Sequence, residues 1–391
     1  MSTLTRGNER LHAVNDTNFT LDRKYSELKE IGRGSYGVVV SALDSGTGKR
    51  VAIKKIVPMA KHTVDAKHVL REIRLMRHMG KHENVITLED LVVRESADEL
   101  YIVMELTDSD LHRVLQSKQV LTEAHFKLFM HQLLCGVKYM RDNRIIHRDL
   151  KPGNLLVTRD CRLRITDFGL ARERPTGSGD TGDDGVDTPM TEHVVTRWYR
   201  PPELMLCPDG LYTYAVDMWS CGCILAEMLG RRPLFPGKNF VHQLSLIFDV
   251  VGSPTSSDVG HIRNSQAKKF LEGQKGKKRV PLSLVFPSAS PEATALLEDM
   301  FRFRPDARID VDAALASSFL VSTARTSAAA KSLVFPETSP EFEFSFERRK
   351  YSKYQLKQMI VEEAVAFRRE HAQVTQFNRR MEAAEKEQEQ E

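Results

Sequence analysis

The chain has 391 residues, with 57 Lys and Arg against 53 Asp and Glu, a net charge of +4 and 41% hydrophobic residues. At roughly 150 residues per domain that length suggests two or three domains or one large two-lobed one, and the composition is that of a globular chain, not a disordered one. So small a positive excess argues against nucleic acid or a membrane surface as the main partner, no apolar run is long enough to span a bilayer, and five cysteines without metal-site spacing point to a reducing, intracellular setting.

Residues 1–24 are polar and are expected to form a flexible N-terminal leader. Short alternating or apolar runs then predict strands at Tyr25–Gly32, Val38–Leu43 and Lys49–Val57. Helical spacing follows over about Asp65–Met79, and strand patterns return at Leu91–Val93 and Leu100–Glu105. Beyond Asp110 the chain turns helical. Thr122 is a candidate N-cap, and Phe126, Phe129, Met130, Leu133, Leu134, Val137 and Met140 follow at helical spacing. Asp217–Leu229 is apolar nearly all round, the pattern of a buried helix, in which Cys221 and Cys223 read as core. Phe240–Val251 and Glu292–Met300 are further helices, the second introduced by Ser290 as N-cap and Pro291 at its first position. Arg172–Pro189, rich in Gly, Asp, Thr and Pro, predicts a mobile loop, and the basic stretch Lys268–Arg279 reads as a solvated insert. After Tyr351, the residues Leu356, Ile360, Ala364 and Phe367 mark one helical face, and the last residues are polar and charged.

Gly32, Gly34 and Gly37 form a G-x-G-x-x-G pattern, a weak signal alone. A dinucleotide site needs that pattern between a strand and a helix. Here it falls between two predicted strands, as in a flap whose backbone N–H groups cover phosphates. Lys54 ends the run Val51-Ala52-Ile53-Lys54, too apolar to hold an unpaired charge, and Glu72 on the predicted helix is its candidate partner. Such a pair would hold Lys54 against the α- and β-phosphates. The decisive stretch is His147-Arg148-Asp149-Leu150-Lys151-Pro152-Gly153-Asn154, followed by Asp167-Phe168-Gly169. Transfer of a γ-phosphoryl group needs positioning, metal ions and a group that orients the attacking hydroxyl. Asp149 can accept the hydroxyl proton, Lys151 can steady the γ-phosphate, and Asn154 and Asp167 offer hard oxygen ligands for Mg²⁺.

With these motifs in this order, the sequence from about Tyr25 to Leu320 resembles a protein kinase. The resemblance implies an α+β, bilobal fold: a β-rich N-lobe with one main helix over 25–107 and a mainly helical C-lobe over 108–320. The extension 321–391 would then carry a helix packing on the kinase and a charged, disordered end. ATP and Mg²⁺ are the implied cofactors. Nucleotide contacts are implied at Ile31, Gly32, Arg33, Gly34, Ser35, Tyr36, Gly37, Val38, Val39, Ala52, Lys54 and Leu156, with Met104 as gatekeeper, Glu105 to Thr107 as hinge and Asp110 near the ribose. The resemblance further implies that Asp217 braces the catalytic loop, that Glu203 pairs with Arg308, and that Phe168, His147 and Met76 stack as a spine.

Thr191-Glu192-His193 with Val194 to Arg200, Asp108 to His112 after the hinge, Val241-His242-Gln243-Leu244, and the tail from Phe346 to Lys350 resemble the mitogen-activated protein (MAP) kinases. That implies protein substrates with Ser or Thr before Pro, an upstream MAP kinase kinase, cytoplasmic and nuclear placement, and a monomer. His193 stands where the family motif has Tyr. Phosphate on Thr191 would be received by Arg71, Arg148 and Arg172, whereas Arg197 and Arg200 normally receive phosphotyrosine. The expectation is activation through Thr191 alone, by an upstream kinase or by autophosphorylation; the alternative is that His193 is a neutral surface substitution. Pro201 replaces the usual Ala before Pro202-Glu203, and Ala313–Pro336 contains no Asp or Glu, so basic docking peptides are expected to bind weakly there. Two other readings stand beside this one. A cyclin-dependent-kinase-like enzyme lacks its helix signature in Ala66–Ile73, and a pseudokinase scaffold is opposed by the intact Lys54, Glu72, Asp149, Lys151, Asn154 and Asp167.

Overall fold

The computed structural model describes residues 9–34, 37–173, 197–206, 213–259, 262, 264–321, 342 and 344–388. It divides into two units: Met1–Gly80 with Ile86–Leu106 and Arg349–Glu391, and Lys81–Val85 with Thr107–Arg348. The first is sheet-rich and the second mainly helical, so the fold is α+β. No helix among the described residues is long and apolar enough to cross a membrane.

The first unit begins with a correction. The flexible leader expected over residues 1–24 is, from Glu9 onward, an antiparallel hairpin of β1 (Glu9–Val14) and β2 (Thr17–Asp22). Asn15 turns the chain at φ 50, a left-handed conformation that Asn tolerates. Alternation then sends Phe19 and Leu21 to one face, where both are fully buried with Tyr25, Val40, Ile53, Tyr101 and Val103. Each such side chain stabilises by about 1.5–3 kcal/mol when removed from water.

That core lies against an antiparallel five-stranded sheet of order β3-β4-β5-β7-β6: β3 Tyr25–Gly34, β4 Gly37–Asp44, β5 Lys49–Ile56, β6 Leu88–Arg94 and β7 Glu99–Glu105. Helix α1 (Thr63–Met79) buries Val69, Leu70, Ile73, Leu75 and Met76 at the predicted helical spacing. The C-terminal helix Lys353–Gln388 packs on α1 and β6. Ser352 and Gln355 begin it as a reciprocal capping box: Gln355 donates its N–H to Ser352 Oγ at 3.2 Å, and Ser352 donates its own to Gln355 Oε1 at 2.8 Å. Leu356, Ile360, Ala364 and Phe367, the predicted face, are all buried. The backbone stays helical to Gln388, so of the two readings the charged end allows, a solvated helix or a disordered tail, the backbone follows the first.

The second unit is built on α3 (Glu123–Asp142) and α5 (Ala215–Gly230), which pack on each other. Thr122 N-caps α3 with His125, whose Nδ1 accepts the Thr122 N–H at 3.1 Å. Gly136 of α3 permits close approach, since a Cβ there would sit 2.6 Å from Ile165 Cδ1 and 3.0 Å from Asn84 O. Helices α6 (Phe240–Val251), α7 (Ser265–Gly273) and α9 (Pro291–Met300) complete the frame, with short α2 (Leu111–Gln116), α4 (Pro202–Leu206), α8 (Leu282–Val285) and α10 (Val311–Leu315). The basic stretch Lys268–Arg279 is part helix, and Lys277 Nζ is taken up by Asp249 at 2.7 Å. Small antiparallel ladders hold the loops: β8 (Ser109–Asp110) pairs with β10 (Leu155–Val157), which pairs with β11 (Leu163–Ile165), and β9 (Ile145–Ile146) pairs with β12 (Arg172–Glu173).

Candidate active site

The candidate residues form two constellations, one in each unit. In the first, strand alternation separates two adjacent lysines of β5. Lys54 donates to both Glu72 oxygens, at 2.8 and 2.9 Å, and the two side chains are largely buried together. Lys55, on the other face, is buried against the N-terminal hairpin. It donates to Asn18 O at 2.5 Å and Glu99 Oε1 at 2.7 Å, with the rings of Phe19 and Tyr101 nearby.

The register of the sheet gathers other predicted residues. Ala52 pairs with Met104, and Val39 with Lys54. Gly37 needs to be glycine, because a Cβ would lie 1.7 Å from the Lys55 carbonyl oxygen. Around Gly32 there is open space. Ile31 is partly exposed, and Arg33 turns its guanidinium to Glu30 at 2.7 Å, so only its backbone is offered to the flap. Glu105 accepts the Thr87 N–H through its carboxylate at 3.2 Å, again leaving backbone groups for the predicted hinge. Ser35 and Tyr36 lie outside the described residues.

In the second unit Lys151 and Asn154 converge on Asp149. Lys151 Nζ donates to its Oδ2 at 2.6 Å, and Asn154 Nδ2 donates to its backbone oxygen at 2.9 Å and to Oδ2 at 3.1 Å. Burial pushes the Asp149 carboxyl above the usual aspartate range, with Lys151 opposing and Asp167 adding to the rise. Asp167 adopts φ 68 and ψ 71, the left-handed region, just before the 3₁₀ turn Phe168–Leu170.

The loop carrying Asp149 is held from beneath. Asp217, in the first turn of α5 and 2% exposed, accepts the backbone N–H of His147 at 2.8 Å and of Arg148 at 2.9 Å. These bonds secure Arg148 at φ 68. His147 Nε2 meets Thr166 O at 3.0 Å, and its ring lies 5.2 Å from that of Phe168. Met76, the third residue of the expected spine, is buried on α1 in the first unit. Asp110 stands opposite Leu156 in the β8–β10 ladder, and its carboxylate N-caps α2 by accepting the Arg113 N–H at 2.9 Å. Thr107 is half-buried at the start of this unit.

Glu203 and Arg308 form the expected pair, bidentate at 2.7 and 3.0 Å. The guanidinium is fully buried, lies over Trp219 and donates to Ala215 O. Of the predicted phosphate receivers, Arg71 is fully buried on α1, Arg148 and Arg172 are half-buried, and Arg172 sits on β12. Arg197 donates to Lys238 O at 2.9 Å and lies over the Phe240 ring, and Arg200 is buried. Thr191 and His193 fall outside the described residues, as does most of Ala313–Pro336.

Sequence reasoning missed the anchor of the segment after residue 196. Tyr199 donates to Glu227 Oε2 at 2.5 Å, Ser220 donates to Tyr199 O, and Trp198 Nε1 donates to Gly237 O at 3.2 Å. The aromatic pair Trp198-Tyr199 amid polar residues was the available signal.

The profile of the protein kinase domain family matches residues 25–320. Over 356 residues the chain is 43% identical to mitogen-activated protein kinase 3 of Arabidopsis thaliana, covering 89% of this chain and 90% of that one. To mitogen-activated protein kinase 7 of the same plant it is 47% identical over 307 residues, 78% and 80% of the two chains. Similarity to extracellular signal-regulated kinase 1 of Dictyostelium discoideum is 42% over 372 residues, 93% of this chain and 66% of that protein.

Proposed function

The chain belongs to the mitogen-activated protein kinase family of ATP-dependent serine/threonine kinases, and from that premise we propose how its own residues divide the work of transfer. Family membership brings with it ATP, a divalent metal, protein substrates and upstream kinases. Asp149 accepts the proton of the incoming Ser or Thr hydroxyl as its oxygen attacks the γ-phosphorus. Lys151, held on Asp149 Oδ2, brings positive charge to the γ-phosphate. Lys54, oriented by Glu72, grips the α- and β-phosphates, and backbone N–H groups from Gly32 to Gly37 cover them.

Asn154 and Asp167 are the candidate holders of Mg²⁺. The donor set fits: both offer hard oxygens, and the bonds from Asn154 Nδ2 to Asp149 leave its Oδ1 as the acceptor end. Among the described residues no cluster of three or more His, Cys, Asp or Glu could hold a metal alone. When bound, the metal ion neutralises charge on the phosphate oxygens.

The convergence of Lys151 and Asn154 on a buried Asp149 carboxylate carries this reading. Two finer points belong to it: the target Ser or Thr precedes Pro, and activation runs through phosphate on Thr191. The test is phosphorylation of paired peptides, Ser-Pro against Ser-Ala, by wild type, Asp149→Asn and Thr191→Ala, with phosphates mapped over residues 172–200. Transfer to Ser-Pro alone, abolished by the first variant and lost without phosphate on Thr191, is expected. Activity retained in Asp149→Asn, equal use of Ser-Ala, or full activity in Thr191→Ala would each remove the corresponding element.

A further inference from the structure

The kinase-domain match ends at residue 320, yet the C-terminal helix lies along α1, the helix that presents Glu72. We propose that Glu363 is a positioning residue for phosphoryl transfer: through Arg74 and Arg77 it fixes α1 where Glu72 reaches Lys54. The inference rests on the role given above to the Lys54–Glu72 pair.

Three observations carry it. The first is the joint itself. Glu363 accepts from Arg74 Nε at 3.0 Å and from Arg77 Nη1 at 2.5 Å, and Arg77 Nη2 continues to Glu370 at 2.5 Å. Glu363 is 13% exposed and its arginines about twice that, so the joint is partly desolvated and less screened than a surface pair.

The second is direction. Arg74 and Arg77 follow Glu72 by two and five residues, about 200° and 140° around a helix. The residue that meets Lys54 and the residues that meet Glu363 therefore leave opposite sides of α1. A swing of α1 away from the sheet must break one joint or drag the tail helix with it.

The third is that the tail helix is itself tied to the sheet that carries Lys54. Arg368 forks onto Asp90 of β6 at 2.9 and 3.0 Å and reaches Asp22 of β2 at 2.8 Å. Lys357 pairs with Asp98 at 3.0 Å. The seam of Leu356, Ile360, Ala364 and Phe367 supplies area without direction, whereas the charged forks set rotation and register. Helix α1 is thus referenced to β5 twice, directly through Glu72 and indirectly through Glu363 and the tail.

The test uses the full chain and steady-state kinetics at varied ATP, with a thermal melt on each variant. Glu363→Gln keeps the shape of the side chain and removes its charge. It is expected to lower kcat/KM for ATP roughly tenfold, the factor that about 1.4 kcal/mol of lost positioning produces. Glu362→Gln, on the exposed neighbour, should leave it unchanged. The separating measurement is the same substitution in a Glu72→Gln background. A residue that acts through Glu72 has no further effect there, while a merely structural brace lowers activity in both backgrounds. Arg77→Gln repeats the test from the other side of the joint should Glu363→Gln fold poorly. Wild-type kinetics in both variants, or an equal loss in the Glu72→Gln background, overturns the inference while leaving the proposed function standing. Wild-type kinetics in Glu72→Gln alone would instead overturn the reading of the pair, and the inference with it.

Discussion

Replacing Asp217 by Asn tests whether the catalytic loop is held by charge or by shape. Both oxygens of Asp217 accept backbone N–H groups, at 2.8 Å from His147 and 2.9 Å from Arg148. The amide retains one acceptor and turns an NH₂ toward the other N–H. One charge-assisted bond, about 1.5–3 kcal/mol, is lost, and a buried donor is left unsatisfied at about 1–3 kcal/mol. The loop also stores strain, because Arg148 at φ 68 costs about 1–2 kcal/mol against ordinary backbone. The lost bond is as large as the strain it opposes, so the loop relaxes and Asp149, the next residue, moves with it. Stability changes less than these figures suggest, since burial already pushes the Asp217 carboxyl above its usual range and a neutral amide relieves that. A shift of about 1 Å at the reacting group costs on the order of a hundredfold in rate. The expectation is therefore a kcat about a hundredfold lower, with KM for ATP and the urea midpoint close to wild type. Peptide-kinase assays and a denaturation curve measure both. A kcat within about threefold of wild type would show that the loop holds its geometry without the second bond, and the reasoning would fail.

Two further predictions concern ionisation and the N-terminal hairpin. Because burial raises the Asp149 carboxyl, the base form that its proposed role needs is lost as pH falls through a value above the ordinary aspartate range, so the acid limb of the pH–rate profile should inflect above that range; an inflection at or below it contradicts the assignment. By the same sign, the raised carboxyl favours the folded state at low pH, and that contribution is lost as pH rises through the folded value. Phe19→Ala empties a fully buried site between hairpin and sheet and should cost about 3–5 kcal/mol in chemical denaturation; a loss under about 1 kcal/mol would mean that the hairpin is not part of the core.

Several elements were legible because their signals are local. The strands from Tyr25 to Val57, the helix from Thr122 and the helix opened by Ser290 and Pro291 follow from periodicity and caps read over a few neighbouring residues. The grouping of Lys151 and Asn154 on Asp149 is local in the same way, since the three lie within one loop of six residues. The hairpin was not legible. Its strands carry few large apolar residues, and Phe19 and Leu21 become core only because the sheet covers them. The side-chain partners of Arg33, Glu105 and Asp110, namely Glu30 and the backbone N–H groups of Thr87 and Arg113, were not legible either, since the resemblance speaks only of a nucleotide.

By itself, then, the sequence determined the class of chemistry and most of the elements that present it. The order of motifs names phosphoryl transfer whatever the side chains touch. Tertiary structure decided which charge meets which. Glu363 lies 289 residues from Arg74, and Arg368 lies 278 from Asp90 and 346 from Asp22. No period or spacing marks such pairs, because one glutamate in a polar helix looks like any other. Only packing of an apolar seam along α1 fixes which of them is desolvated beside an arginine, and desolvation is what gives an ion pair its strength and direction.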